Sequence, residues 1–340
     1  MARNQGPLVN WSQYLAVRAI VGLAYLAGVR RSLKAASRLG RLGFVLDRRH
    51  RQRALDHLRL AFPSWDEDRI VRTARHSFQR FLQLGVEMLF MPRNITKDNY
   101  EEHLIRLDAL SALDMFYRRE PMVLVTAHFG NWEAIGYFFS LEGHAIAAAA
   151  RPIDNPLIND WLLGIRRSRG LNIIEKWDNA DVKIIKALQN REAVGFVADQ
   201  NGGERGVFVP FFGRLASTPK TVGLLAMNMN VPVVCGYARR IEEHGLKYEI
   251  ATTEIIRPQD WADRSDPLFY ITARYVSVIE KMVREHPEDY MWSHRRWRSR
   301  PRFERQGKPM PDSLKRKLRE LPWVDEAQLA ELEKPLGFQS

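Results

Sequence analysis

The chain has 340 residues, 45% of them hydrophobic and 27% charged, and a formal net charge of +12. This is the make-up of a globular protein with a sizeable core, and it excludes a disordered or low-complexity chain. A single cysteine excludes any internal disulfide, and the basic excess points to an acidic partner.

The basic excess is concentrated at the start. Residues 1–60 hold twelve Arg and Lys against two Asp, a net of +10. The run YLAVRAIVGLAYLAGV, residues 14–29, is apolar except for Arg18, and Arg30, Arg31, Lys34, Arg38 and Arg41 follow it. Its 16 residues fall short of the ~20 that cross a bilayer squarely. No small-residue cleavage site follows, so a removed signal peptide is not expected. An apolar helix followed by a polybasic stretch reads as a membrane-surface anchor or a short span; the competing reading is a core helix with a solvated basic neighbour.

Residues 50–119 read as helical. RRHRQRALDHLRLAFPSW places Leu55, Leu58 and Leu60 before a break at Pro63. DEDRIVRTARHSFQRFLQLGVEMLF repeats apolar residues with a helical period behind Asp66 and Glu67, and KDNYEEHLIRLDALSALDMFYRRE reads as a third helix. From residue 121 short apolar runs alternate with helical stretches. MVLVTA, HAIAAAA, LNIIE and AVGFVAD are spaced by WEAIGYFFSLEG, NPLINDWLLGIRRSRG and DVKIIKALQNRE. A loop and the helix TPKTVGLLAMNMN follow, then the strands VPVVCGYARR (Cys235 reads as a buried strand residue) and LKYEIATTEII, and the helix PLFYITARYVSVIEKMVREHP. This alternation predicts an α/β fold, a mixed central sheet flanked by helices. The last 35 residues are charged and contain Pro309, Pro311, Pro322 and Pro335; they read as a loosely packed tail with a short helix or two.

The stretch VLVTAHFGNWEAIG, residues 123–136, carries the clearest chemistry. Five positions along one helix separate side chains by about 140°, so His128 and Glu133 cannot pair within a continuous helix. They can pair if His128 ends a strand, Gly130 supplies the joint and Asn131 caps a helix whose first turn holds Glu133. The carboxyl edge of a parallel sheet is where α/β folds place their sites. There a neutral imidazole takes a proton from a hydroxyl, and a carboxylate fixes its tautomer. Neither Ser nor Cys stands beside His128 and no G-x-S-x-G occurs, so the expected proton donor is the hydroxyl of an acceptor rather than an enzyme nucleophile. No metal-binding Cys/His spacing appears, and no cofactor is expected.

AHFGNWEAIG resembles the H-x4-(D/E) signature of glycerolipid acyltransferases, and more closely the lauroyl and myristoyl acyltransferases of lipid A biosynthesis with their phosphatidylinositol mannoside relatives. RQRALDHLRLAFP, RPIDNPLIND, VADQNGGERGVFVPFFGRLASTPKTVGLLA and HPEDYMWSHRRWRSRP resemble further blocks of that family, in the same order, over residues ~50 to 302. The resemblance implies His128 as general base and Glu133 as its partner. It implies Arg151 as a phosphate or thioester-oxygen ligand and Asp199 and Gln200 as residues facing the same cleft. Arg205 reads equally as a headgroup ligand or an exposed ion-pair former, and Asn131 joins the substrate-binding set. Trp292, His294, Arg295 and Arg296 read equally as cleft rim or as packing against the sheet. Where the lipid A enzymes often carry a third acidic residue after Asp-Gln, this chain has Asn201, which bears on the acceptor rather than on the reaction.

The resulting expectation is a glycerolipid acyltransferase-like protein in three parts. Residues 1–50 form the membrane-associated helical segment, 51–305 the acyltransferase domain and 306–340 the charged tail. It would move a fatty acyl chain from acyl carrier protein or acyl-CoA to a hydroxyl of an anionic glycolipid, a lipid A precursor, by direct attack at the cytoplasmic face of a bacterial inner membrane. The alternatives are a phosphatidylinositol mannoside or lysophospholipid acceptor, or a non-catalytic basic protein on a membrane surface. No recognition helix or RNA-binding motif supports nucleic acid as a partner.

Overall fold

The structure is a computed structural model that describes residues 6–107, 110–144, 146–150, 152–168, 170–175 and 179–334. Four helices open the chain: α1 (Pro7–Ala27), α2 (Val29–Leu46), α3 (Arg48–Ala61) and α4 (Glu67–Asn94). Gly28, at φ 80°, breaks the first two apart. The Asp66 side chain caps α4 by accepting from the Arg69 amide at 2.7 Å, with Glu67 and Asp68 in the first turn, where carboxylates oppose the helix dipole. α2 lies directly on α4: a Cβ on Gly40 would stand 2.5 Å from the Gln79 Cα.

β1 (Leu104–Leu107) and α5 (Leu110–Tyr117) come next. Then follow β2 (Met122–Thr126), α6 (Trp132–Leu141), β3 (Ile146–Ala150), α7 (Pro156–Arg167), β4 (Leu171–Glu175), α8 (Ala180–Gln189) and β5 (Ala193–Val197). The hairpin β6 (Val207–Phe211) and β7 (Arg214–Thr218) leads to α9 (Thr221–Met229), β8 (Val233–Arg240), β9 (Tyr248–Ile256) and α10 (Pro267–Glu285). The main sheet has the order β1-β9-β8-β2-β5-β3-β4 and is parallel except between β8 and β9. The expected mixed α/β sheet flanked by helices is therefore present.

β2 shows how the sheet divides the core. Val123 and Val125 point into a cluster shared with α3, α4, α8, α9, α10 and the hairpin, while Met122 points into a cluster with α5 and α6. The period of two along a strand buried on both faces produces this split.

Three elements differ from the expectation. The supposed third helix after α4 is interrupted by β1, whose four residues alternate half-buried and exposed. Its ladder partners are Tyr248–Ala251, far along the chain, so no local signal specifies it. The supposed loop before α9 contains the hairpin. Its two-residue turn is Phe212-Gly213, both with positive φ (52° and 67°), a shape that Asn-Gly would have signalled and Phe conceals. Finally, α11 (Arg302–Arg305), α12 (Asp312–Arg319) and α13 (Glu326–Leu332) do not trail away. Met310, Leu318, Leu321, Leu329 and Leu332 are buried in the main core cluster.

Among the described residues no helix is long and apolar enough to cross a membrane. α1 nevertheless exposes Leu8, Trp11, Leu15, Ile20, Leu23 and Leu26, and α2 exposes Leu39, Leu42, Val45 and Leu46.

Candidate active site

The site is assembled at the carboxyl ends of two adjacent parallel strands. β2 and β5 are paired in register, Thr126 opposite Val197, and the Ala198 amide donates to the Thr126 carbonyl at 2.8 Å. Two residues beyond each strand end, this register brings His128 level with Asp199. Neighbouring strands lie ~4.8 Å apart, so side chains at matching positions meet. The His128 Nδ1 stands 2.7 Å from Asp199 Oδ1.

The chemistry of that contact fixes the tautomer. Asp199 is almost wholly buried. Burial alone would raise its pKa, but the His128 ring against it more than offsets this and holds the carboxyl below the usual range, so it is ionised. A carboxylate only accepts, so Nδ1 carries the proton and donates; in the neutral ring Nε2 is then the free base. The His294 ring lies 4.2 Å from that of His128, centroid to centroid, and Trp132 meets it edge-on at 5.0 Å. Burial, and then the neighbouring His128, push His294 down to about 4, so it is uncharged at neutral pH. The site thus holds one buried anion and keeps a second imidazole neutral beside the first.

The turn that presents His128 is held from both sides. The Met291 amide donates to the His128 carbonyl and the Gly130 amide to the Asp289 carbonyl, both at 2.9 Å, while Phe129 bridges to Tyr290. Gly130 has φ 56°, and a Cβ there would lie 2.3 Å from the Ala238 carbonyl oxygen, so this position requires glycine. Asn131 caps α6, its Oδ1 accepting from the Ala134 amide at 3.0 Å. The strand, joint and cap expected from the sequence are all present.

The pairing across the joint is different from the expected one. Glu133 does not face His128. It sits in the first turn of α6 and forms a two-point ion pair with Arg166 of α7, through Nη2 to Oε1 and through Nε to Oε2 at 3.1 Å. The first turn of α6 faces α7, whose Arg166 supplies a planar fork that matches the carboxylate, so Asp199 and not Glu133 is the partner of the imidazole.

Asn131 is also not directed at a ligand. It is buried, and its Nδ2 donates to Glu87 Oε2 at 2.7 Å. Glu87 in turn accepts from Arg240 Nε at 2.8 Å and from the Tyr248 hydroxyl at 3.0 Å, and Arg240 Nη2 donates to Gln83 at 2.7 Å. This buried network ties α4, α6, β8 and β9 together beneath the turn. Gln200 is exposed just past Asp199, and Arg205 is exposed in the turn before β6 with no ion pair among the described residues. Asn201 exchanges hydrogen bonds with Ser299, to its Oγ at 3.0 Å and from its amide at 3.2 Å, and so braces the loop that carries Asp199. Arg151 lies outside the described residues.

Of the C-terminal block, Trp292 and Arg296 are buried, whereas His294 reaches the site. Arg296 donates through Nη1 to the Ser217 carbonyl at 2.6 Å and through Nη2 to Thr218 Oγ1 at 2.8 Å. Both readings of that block are therefore realised, by different residues. Arg166 and Glu87 escaped the sequence reading, since their roles depend on contacts across the fold.

His128, Asp199 and His294 are also the set among the described residues whose ligand atoms, within 4.8 Å of one another, could converge on a metal ion. Two ligands of a tetrahedral zinc with ~2.0 Å bonds stand about 3.3 Å apart. The 2.7 Å contact between His128 and Asp199 is a direct hydrogen bond instead.

A buried carboxylate orienting an imidazole at a sheet edge is an arrangement whose chemistry suits proton abstraction from a hydroxyl. The family model for the bacterial lipid A biosynthesis acyltransferases matches residues 6–299, and the chain belongs to that family of acyltransferases. It is 27% identical over 269 residues to a lipid A biosynthesis lauroyltransferase of Escherichia coli, covering 77% of this chain and 84% of that protein. Over 189 residues it is 33% identical to a lipid A biosynthesis acyltransferase of Haemophilus influenzae, covering 54% of this chain and 58% of the relative. A lipid A biosynthesis palmitoleoyltransferase of Escherichia coli is 25% identical over 274 residues, or 78% and 84% of the two chains.

Proposed function

We propose that this acyltransferase moves a fatty acyl chain from the thioester of acyl carrier protein or coenzyme A to a hydroxyl of a lipid A precursor. The observation that carries the mechanism is the Asp199–His128 hydrogen bond, which leaves Nε2 as the base. His128 Nε2 takes the proton of the acceptor hydroxyl as its oxygen attacks the thioester carbonyl. The resulting tetrahedral intermediate collapses with loss of the thiolate, and the imidazolium returns the proton to that sulfur. Buried Asp199 stabilises the imidazolium without itself taking the proton. His294, held neutral, adds no repulsion as His128 becomes charged.

The enzyme acts at a membrane surface, at the cytoplasmic face of a bacterial inner membrane. Exposed apolar side chains on α1 and α2 beside Arg30, Arg31, Lys34, Arg38 and Arg41 suit a segment that lies on an anionic bilayer with its apolar residues in the headgroup region. The functional division is residues 1–50 for the surface and 51–305 for transfer, with the terminal helices braced against the latter. The test is transfer of a lauroyl group to a tetra-acylated lipid A precursor, read by mass spectrometry of the product. The wild-type chain is expected to add one acyl chain and His128→Ala none above background; a folded His128→Ala variant with wild-type turnover overturns the reading.

A further inference from the structure

The edge of α3 that meets the segment around Trp292 holds a charge arrangement that the mechanism above does not use. Arg53 donates from Nη1 to the Ser293 carbonyl at 3.0 Å, and His57, one turn on, contacts the Trp292 carbonyl through Nδ1 at 3.0 Å. These two bonds lay the α3 face along the segment that carries His294 and Arg295. Arg49 stands one turn before Arg53 on the same face. Among the described residues none of Arg49, Arg53 and Arg295 makes an ion pair with a carboxylate; the nearby acid, Asp47, is taken up by His50 at 2.6 Å. Burial, then the neighbouring Arg295 and Arg49, push the Arg53 guanidinium down against a smaller opposing pull from Asp47, and its charge is felt at both His57 and His294.

Holding three guanidinium groups together with a single carboxylate nearby, itself paired to His50, is unfavourable unless a further anion joins them. Guanidinium groups match phosphate oxygens two at a time. The cluster adjoins the residue before His294, whose ring touches that of the base, and so it flanks the reacting atoms rather than a remote surface. We infer that Arg53 and Arg295, with Arg49 at the outer edge, bind a phosphate group of a substrate beside the His128–His294 pair. The inference rests on the acyl-transfer reading above and names its phosphate anchor. A phosphate reaches this place on either substrate: the phosphopantetheine arm of the donor or a phosphorylated sugar of the acceptor.

Two substrate pairs separate the sources. The donors are lauroyl-pantetheine and lauroyl-4′-phosphopantetheine; the acceptors are a glycolipid precursor with and without its phosphates. In Arg295→Gln and Arg53→Gln, KM for the phosphate-bearing member of one pair is expected to rise on the order of tenfold to a hundredfold, with kcat nearly unchanged. The phosphate-free member should be unaffected, and Arg53→Lys should retain part of the effect. The pair that shows the selective loss identifies the phosphate. Equal loss on both members of both pairs means a packing role and overturns the inference, as does no loss in folded Arg295→Gln. Absence of transfer by the wild-type chain would instead count against the acyl-transfer reading.

Discussion

Two acid–base pairs issue from one short stretch, and they have opposite fates. His128 lies before the Gly130 joint and turns toward β5, where it meets Asp199. Glu133 lies beyond the joint and turns toward α7, where it meets Arg166. Asp199 is buried and gives one oxygen, Oδ1, to the imidazole, while both oxygens of Glu133 are taken by one guanidinium. A carboxylate held against a single, partly buried imidazole has charge to lend to a reaction. One saturated by a fork is set to hold two helices in place. The spacing of five thus joins a chemical half and a structural half, with the joint between them.

The largest expected effect comes from removing the base. His128→Ala should lower kcat by about 10³- to 10⁴-fold with KM for either substrate little changed, in a steady-state transfer assay. Asp199→Asn keeps shape but removes the charge that fixes the Nδ1–H tautomer, and a loss of about 10³-fold is expected. The two losses should not multiply in the double variant, because the pair acts as a unit. Multiplicative losses would mean that Asp199 serves something other than His128.

Glu133→Gln probes the other half. Breaking a largely buried ion pair should cost about 2 kcal/mol in a urea melt, and Arg166→Gln should cost a similar amount. The double variant should lose less than the sum, while kcat falls about tenfold or less through slackening of α6. If folded Glu133→Gln lost as much kcat as Asp199→Asn, the division between the two halves would fail.

What was legible in the sequence follows the range of the interactions. His128 at a strand end, Gly130 as joint and Asn131 as cap depend on neighbours in the chain, and the structure shows all three. The alternation of strands and helices from 121 to 286, the β6–β7 hairpin apart, was legible for the same reason. The partner of His128 was not, because it depends on which strand lies beside β2, and that is a property of sheet order. VTAH and FVAD each place a polar residue two positions past a strand, a signal that becomes readable only once Thr126 and Val197 are known to be paired. β1 and the Phe212-Gly213 turn were hidden likewise: the strand is specified by β9, and Phe212 takes its positive φ while buried near Trp292, 5.8 Å between ring centroids.

The last expected effect concerns stability rather than turnover and comes from the His128 side of the comparison. His57 is buried beneath the site, and burial, with lesser contributions from Arg53 and His294, holds it near 4. His294 is held at about 4 by burial and by His128. In the unfolded chain both titrate near 6.5. Between about pH 6.5 and 4 the unfolded state therefore binds more protons than the folded one. Stability is complete above this window and falls as pH drops through it. Denaturant melts of the wild-type chain should show this fall, and His57→Gln should flatten it while lowering stability at pH 7 through the altered contact with Trp292. His57→Gln and wild type with the same slope between pH 6.5 and 4 would mean that the acid sensitivity lies elsewhere, and that the cleft side of the joint is not the side that resists protonation.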